Sequence, residues 1–354
     1  MEFSPRERCL LALSRRKPDK VPKHASFTPA VYERFKRETG HTDPAEYFGM
    51  EPRHVGFKPL KELPDFSRYL PDDLPEGTHV DEYGVARVPG GFYHFTRMVH
   101  PLANLKTVRE LEDYPWPDFT ADYRHEHLEA DVRRLQEAGY FVCGWVGHIF
   151  EIAWYMRGME RLFMDFSDNP EFAARLLDIL TEHRAFQARR MAEAGVDCIT
   201  LGDDVGMQNT MLMSPETWRR WLKPRLARVI SEARRIKPDV HVFYHSDGWI
   251  EPIIPDLIEV GVTVLNPVQP ECMDPAEIKR KYGKYLAFWG TIGTQTTMPF
   301  GTPDEVRRVV KERIETVGYD GGLLLAPTHV LEPDVPWENI VAFFEAVEEF
   351  GRYR

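Results

Sequence analysis

The segment His245-Ser-Asp-Gly248 closes an apolar run, 240–244, and carries the residue types best suited to chemistry. Successive side chains of a strand alternate between its faces, so His245 and Asp247 point the same way just before Gly248 lets the backbone turn. An imidazole and a carboxylate aimed at one point suit a borderline metal such as zinc, or a general acid and base working on one substrate. The same pair also serves to stitch a loop together, so other segments have to decide between these uses.

Five more apolar runs end in polar residues. His148 and Glu151 follow 141–146, Gly202-Asp203-Asp204 follows 196–201, Asn266 and Gln269 follow 262–265, Gly290-Thr291 follows 286–289, and Thr328-His329 follows 323–326. If the runs are the parallel strands of one barrel, their ends surround a single mouth, where His245, Asp247, His329, Glu151 and Asp203 converge. The expected division of labour has His245, Asp247 and His329 on a metal, Asp203, Glu151 and His329 in catalysis, and His148, Asn266 and Gln269 on substrate. Each has a structural alternative: Asp203 or Asp204 caps the next helix, and Glu151 pairs with Arg157. Cys272, in the loop 270–274, is a weaker candidate ligand.

The elements that must position these groups are legible from residue 140 onward, where short apolar runs alternate with amphipathic helical patterns, as repeated βα units do. Ser214-Pro215, Asp274-Pro275 and Thr302-Pro303 read as helix N-caps followed by proline at the first helical position. Ahead of these, 6–16 and 29–39 read as helices and 21–27 as a strand. Residues 49–105 are rich in Pro, Gly and aromatics, and 80–88 with 92–99 around Gly90-Gly91 reads as a β-hairpin. We take 49–105 as an insertion in a single domain, 1–354. No Gly-x-Gly-x-x-Gly turn and no phosphate-binding loop follows any strand, which favours a (β/α)8 TIM barrel over a doubly wound sheet. An acidic, aromatic-lined mouth is expected.

Composition agrees with a soluble globular protein: 354 residues, 43% hydrophobic and 29% charged, with a net charge of −11 that argues against nucleic acid as a partner. No apolar stretch reaches the roughly 20 residues of a membrane helix. The charged start, 1–20, is unlike a signal peptide, so a cytoplasmic location is expected. Cys9, Cys143, Cys198 and Cys272 are scattered without a Cys-x-x-Cys pair, pointing to reduced thiols.

Taken together the motifs resemble the uroporphyrinogen decarboxylase superfamily, which includes the haem-pathway decarboxylase and cobalamin-dependent methyltransferases. The likeness runs over 141–350, through Gly144-Trp-Val-Gly-His-Ile-Phe-Glu151, Ala194-Gly-Val-Asp-Cys-Ile-Thr-Leu-Gly-Asp203, His245-Ser-Asp-Gly248, Phe288-Trp-Gly-Thr-Ile292 and, most specifically, Pro327-Thr-His329 with Pro333-Asp-Val-Pro-Trp-Glu-Asn-Ile340. Where the decarboxylase carries an arginine-rich clamp for carboxylates, this chain has His24-Ala-Ser-Phe-Thr-Pro29. The methyltransferase branch has two cysteines where this chain has Asp247 and His329, and holds zinc with them. The resemblance thus implies a harder, more Lewis-acidic zinc site and transfer of a methyl group from a small O- or N-methylated substrate to a corrinoid protein, and it allows a homo-oligomer. Decarboxylation of a tetrapyrrole, or a barrel that binds a corrinoid or tetrapyrrole without turnover, are the alternatives it leaves.

Overall fold

The computed structural model describes residues 2–90 and 97–353. Its strands are β1 (Pro52–Val55), β2 (His79–Val80), β3 (Ala86–Val88), β4 (Arg97–Val99), β5 (Phe141–Gly147), β6 (Cys198–Gly202), β7 (His241–His245), β8 (Val264–Asn266), β9 (Ala287–Ile292) and β10 (Leu323–Pro327). Seven form one curled, wholly parallel sheet in the order β1-β5-β6-β7-β8-β9-β10. Every residue of β6, β8, β9 and β10 is buried. Such strands are covered on both faces, by helices outside and by the barrel lumen inside, which is why they read as unbroken apolar runs.

The gap between β10 and β1 is filled by the segment expected as a strand at 21–27. Lys23 and Phe27 bridge in parallel to Leu325 and Leu331, the His24 N–H donates to the Leu325 carbonyl (3.0 Å), and the Lys23 N–H donates to Glu51 Oε2 (2.8 Å) beside β1. It makes bridges and not a full ladder because Pro22 on one side of Lys23 and Pro327 on the facing strand have no N–H to give. With this stave the sheet has the (β/α)8 form.

One boundary needs correction. Pro52–Val55, inside the stretch expected as an insertion, pairs with Phe141–Gly144 and is a barrel strand. Its Arg53 and His54 concealed it. The decoration begins after it and contains a small antiparallel sheet in which β3 pairs with β2 and β4; of the expected hairpin, residues 91–96, which include Gly91 of the Gly90-Gly91 turn, lie outside the described residues. Arg124 holds this region through Lys58 O (3.0 Å), Asp118 O (3.0 Å) and Glu82 Oε2 (2.6 Å).

The helix Pro5–Leu13, shorter than the expected 6–16, closes the N-terminal end of the barrel. Its Cys9 and Leu13 pack against Phe141, Cys143, Cys198, Val264, Ala287 and Leu324, which stand early in their strands. Ser214, Asp274 and Thr302 accept backbone N–H groups as N-caps, each with proline in the first turn. Among the described residues no helix is long and apolar enough to cross a membrane.

Candidate active site

His245 is the last residue of β7 and is in register with Asn266, the last residue of β8. Their side chains meet: His245 Nδ1 lies 2.5 Å from Asn266 Oδ1. The amide is fixed from its other end, where Asn266 Nδ2 donates to the Trp289 carbonyl (2.6 Å). Its oxygen must therefore face the imidazole, which makes Nδ1 the donor and leaves the Nε2 lone pair free when the ring is neutral. That Nε2 lies 3.4 Å from Asp204 Oδ1 and 4.0 Å from Asp247 Oδ1. His329, just past β10, brings its ring centroid within 6.3 Å of that of His245. One ligand atom each from His245, Asp247 and His329 lies within 4.8 Å of the others, and all three residues are half-buried.

A second cluster, His148, Glu151 and Asp203, meets the same spacing. Here the atoms are already engaged. Asp203 Oδ1 accepts the N–H groups of Ile149 and Glu151, both at 3.0 Å, so this aspartate caps the helix Phe150–Arg157. Glu151 does not pair with Arg157, which faces Asp165 (2.6 Å) in the core; it accepts from the Asp204 N–H (3.0 Å) and the Tyr155 hydroxyl (2.8 Å). His148 Nδ1 is shared between Gly202 O (2.7 Å) and Glu151 Oε1 (3.1 Å).

Sequence reasoning overlooked Asp204 in favour of its neighbour. Asp204 Oδ1 accepts the Asp247 N–H (2.8 Å) and faces His245. Asn266 and Gln269, expected to touch substrate, have their side-chain oxygens engaged within the protein: Asn266 orients His245, and Gln269 Oε1 accepts the Gly248 N–H (3.1 Å). Cys272 belongs to neither cluster.

Two backbones cross tightly beneath the first cluster. A Cβ on Gly206 would lie 2.4 Å from the Asp247 carbonyl, and Gly248 has φ +79°, so the loop after β6 nests directly against the loop after β7. Val268 and Thr291, both β-branched, also adopt left-handed conformations (φ 50° and 77°) after β8 and at the end of β9. Such strain gathers where a mouth is shaped rather than merely packed.

The charges are coupled. Burial alone would push the His245 pKa down, but the carboxylates of Asp204 and Asp247 outweigh it and hold the group at about 9. Burial pushes Asp247 up to about 6, against the pull of His245 and with the help of Asp204. Without a metal the arrangement is an imidazolium among acids; with one, it is a nitrogen and oxygen donor set.

Residues 96–350 match the family model described as Uroporphyrinogen decarboxylase (URO-D). The chain belongs to that family. It is an enzyme of the uroporphyrinogen decarboxylase superfamily, and over 175 residues it is 31% identical to the "Methylcobamide:CoM methyltransferase MtaA" of Methanosarcina barkeri, a match covering 49% of this chain and 48% of that protein. The chain thus spans about half the length of these curated relatives (48% in each). A uroporphyrinogen decarboxylase from Pseudoalteromonas translucida is 24% identical over 314 residues, 84% of this chain and 82% of the other. A solved methyltransferase from Methanosarcina mazei superposes with a TM-score of 0.69 over 99% of both chains at 23% identity, which shows the barrel fold.

Proposed function

We propose that the protein takes a methyl group from a small O- or N-methylated molecule and passes it to the cobalt of a separate corrinoid protein. The observation that carries this reading is the meeting of His245, Asp247 and His329 at the mouth, within 4.8 Å, in a chain whose relatives include a methylcobamide methyltransferase. In the step itself, the carbon–oxygen or carbon–nitrogen bond of the substrate breaks with its electron pair going to the leaving atom, which water then protonates. Cobalt(I) supplies the pair for the new cobalt–carbon bond and becomes cobalt(III).

The residues present fit a zinc ion. His245 Nε2 is left available by the Asn266 bond, Asp247 and His329 offer an oxygen and a nitrogen, and Asn266 is the outer partner that metal-bound histidines usually have. When bound, zinc would supply Lewis acidity toward the leaving oxygen or nitrogen. The chain's own task is to hold the methyl carbon in line with the cobalt and to exclude alternatives. Asp204 and Glu151 stiffen the loop that carries Asp247, and the single barrel, 1–354, supplies the frame.

The decarboxylase alternative loses support from the same side chains. The segment that stands where the decarboxylase has its arginine-rich clamp reads His24-Ala-Ser-Phe-Thr-Pro29 and carries no arginine, whereas several bidentate arginines are what a polycarboxylate needs.

Mixing the protein with a corrinoid protein reduced to cobalt(I) and a panel of methoxylated aromatics, methylamines, betaines and methyl thioethers should produce methylcobalt absorbance with one member. No methylation from any of them, with no binding to the corrinoid protein, would refute the assignment. Formation of coproporphyrinogen from uroporphyrinogen would replace it with decarboxylation.

A further inference from the structure

The lumen of a (β/α)8 barrel is ordinarily filled by inward-facing side chains. In the lower half of this one it is, by Phe141, Cys143, Cys198, Val264 and Ala287. Higher up the filling stops. Trp145 is two residues beyond Cys143 on β5 and so faces the same way, yet it is 48% exposed. His54 is the register partner of Cys143 and is likewise exposed. Large rings that point into a barrel and still reach solvent line an open space.

The floor of that space is aromatic: Trp289, only 3% exposed, and Phe243 pack on the filled half. His24 and His54 have ring centroids 5.3 Å apart, His24 stands edge-on to Trp289 at 5.4 Å, and Phe243 meets Trp289 at 5.2 Å. Burial, with help from His54 and Arg53, drives His24 down to about 3. Its imidazole is therefore a neutral donor and acceptor. This floor adjoins the metal-ligand candidates, because the Trp289 carbonyl is the group that fixes Asn266 and through it His245.

We propose that the lumen formed by His24, His54, Trp145, Phe243 and Trp289 seats an uncharged aromatic ring, so that the methyl donor is a methyl aryl ether. This rests on the methyl-transfer reading above and narrows it. The ring stacks or stands edge-on against the indoles, a ring hydroxyl finds a partner on the neutral His24 imidazole, and the ether oxygen is presented to His245, Asp247 and His329. The oxygen–methyl bond breaks with its electrons on oxygen, giving a phenolate that water protonates, while cobalt(I) of the corrinoid protein takes the methyl group and becomes methylcobalt(III). A methylammonium ion would compete for the same indoles through cation–π contact, which makes trimethylamine the deciding competitor in the test.

The test is calorimetric titration of the full chain with 2-methoxyphenol, trimethylamine and methanol, repeated on Trp145→Ala and His54→Ala, with circular dichroism to establish that both variants are folded. We expect 2-methoxyphenol to bind one per chain more tightly than the other two, and each variant to weaken it about threefold to tenfold, the range of one lost aromatic contact. Trimethylamine or methanol binding more tightly, or folded variants that bind 2-methoxyphenol as the unaltered chain does, would overturn the proposal. Binding of 2-methoxyphenol without methylcobalt formation from any donor would uphold the ring site and sink methyl transfer. Methylcobalt formed from a methylamine, with no binding of 2-methoxyphenol, would do the reverse.

Discussion

The two clusters at the mouth are built from the same residue types at the same spacing, histidine and carboxylate inside 4.8 Å, yet the fold engages their atoms differently. In the first, Asn266 holds one nitrogen of His245 so that the other faces Asp204 and Asp247, and the Asp247 side chain is 34% exposed. In the second, Asp203 accepts backbone N–H groups from the start of a helix, Glu151 bonds Asp204 N and the Tyr155 hydroxyl, and Asp203 is only 7% exposed. Proximity of donors is shared. What separates a site that can take a ligand from one that builds the frame is how many lone pairs the fold has already spent.

The sharpest way to break this comparison is to remove a histidine from the first cluster. His245→Ala or His329→Ala should lower zinc affinity by about a hundredfold or more, since outer-shell partners alone are worth roughly 10–100-fold. Zinc content by elemental analysis, on tagless protein competed with a chelator, reads this out. Equal zinc in both variants and in the unaltered chain would mean that the three side chains act as acid and base groups without a metal.

The opposite signature belongs to Asp203. Asp203→Ala strips the helix Phe150–Arg157 of its cap and leaves buried N–H groups of Ile149 and Glu151 without an acceptor, a loss of about 2 kcal/mol of stability. Zinc affinity should not change. Denaturant unfolding and the same chelator competition measure the two quantities. If Asp203→Ala loses zinc and keeps its stability, the second cluster is the ligand site and the contrast drawn here is inverted.

Much of this arrangement could be read beforehand because of how parallel strands are built. β5 to β10 are sandwiched between helices and lumen, so each appears as an apolar run with its polar group just beyond the end. β1 escaped because Arg53 and His54 break the apolar pattern in only four residues. At the site, His245, Asp247 and His329 were visible one by one, and the barrel hypothesis alone joined them. The choice between Asp203 and Asp204 was not visible, since it turns on which of two adjacent side chains the end of β6 directs toward β7. Nor were the duties of Asn266 and Gln269, which follow from the register of β7 on β8 and from the way Gly206 and Gly248 cross, features with no local sequence mark. The pairing of His24 with His54 is likewise a product of barrel closure between segments 30 residues apart.

The smallest effect should come from Gln269, which acts on the first cluster from behind. Its Oε1 accepts the Gly248 N–H, and that bond fixes the turn on which Asp247 is mounted. Gln269 is only 5% exposed, so water cannot readily replace the lost acceptor, and Gln269→Ala should cost about 1 kcal/mol of stability. It should also loosen Asp247 relative to His245 and weaken zinc binding, but less than His245→Ala does, because no donor atom is removed. Gln269→Glu keeps an acceptor at the same reach and should recover most of the stability, while its added charge sits beside carboxylates that already crowd the mouth. Unfolding and chelator competition on the pair of variants separate the two contributions. If Gln269→Ala costs zinc binding as much as His245→Ala does, Gln269 is itself a ligand and the supporting role assigned to it is wrong.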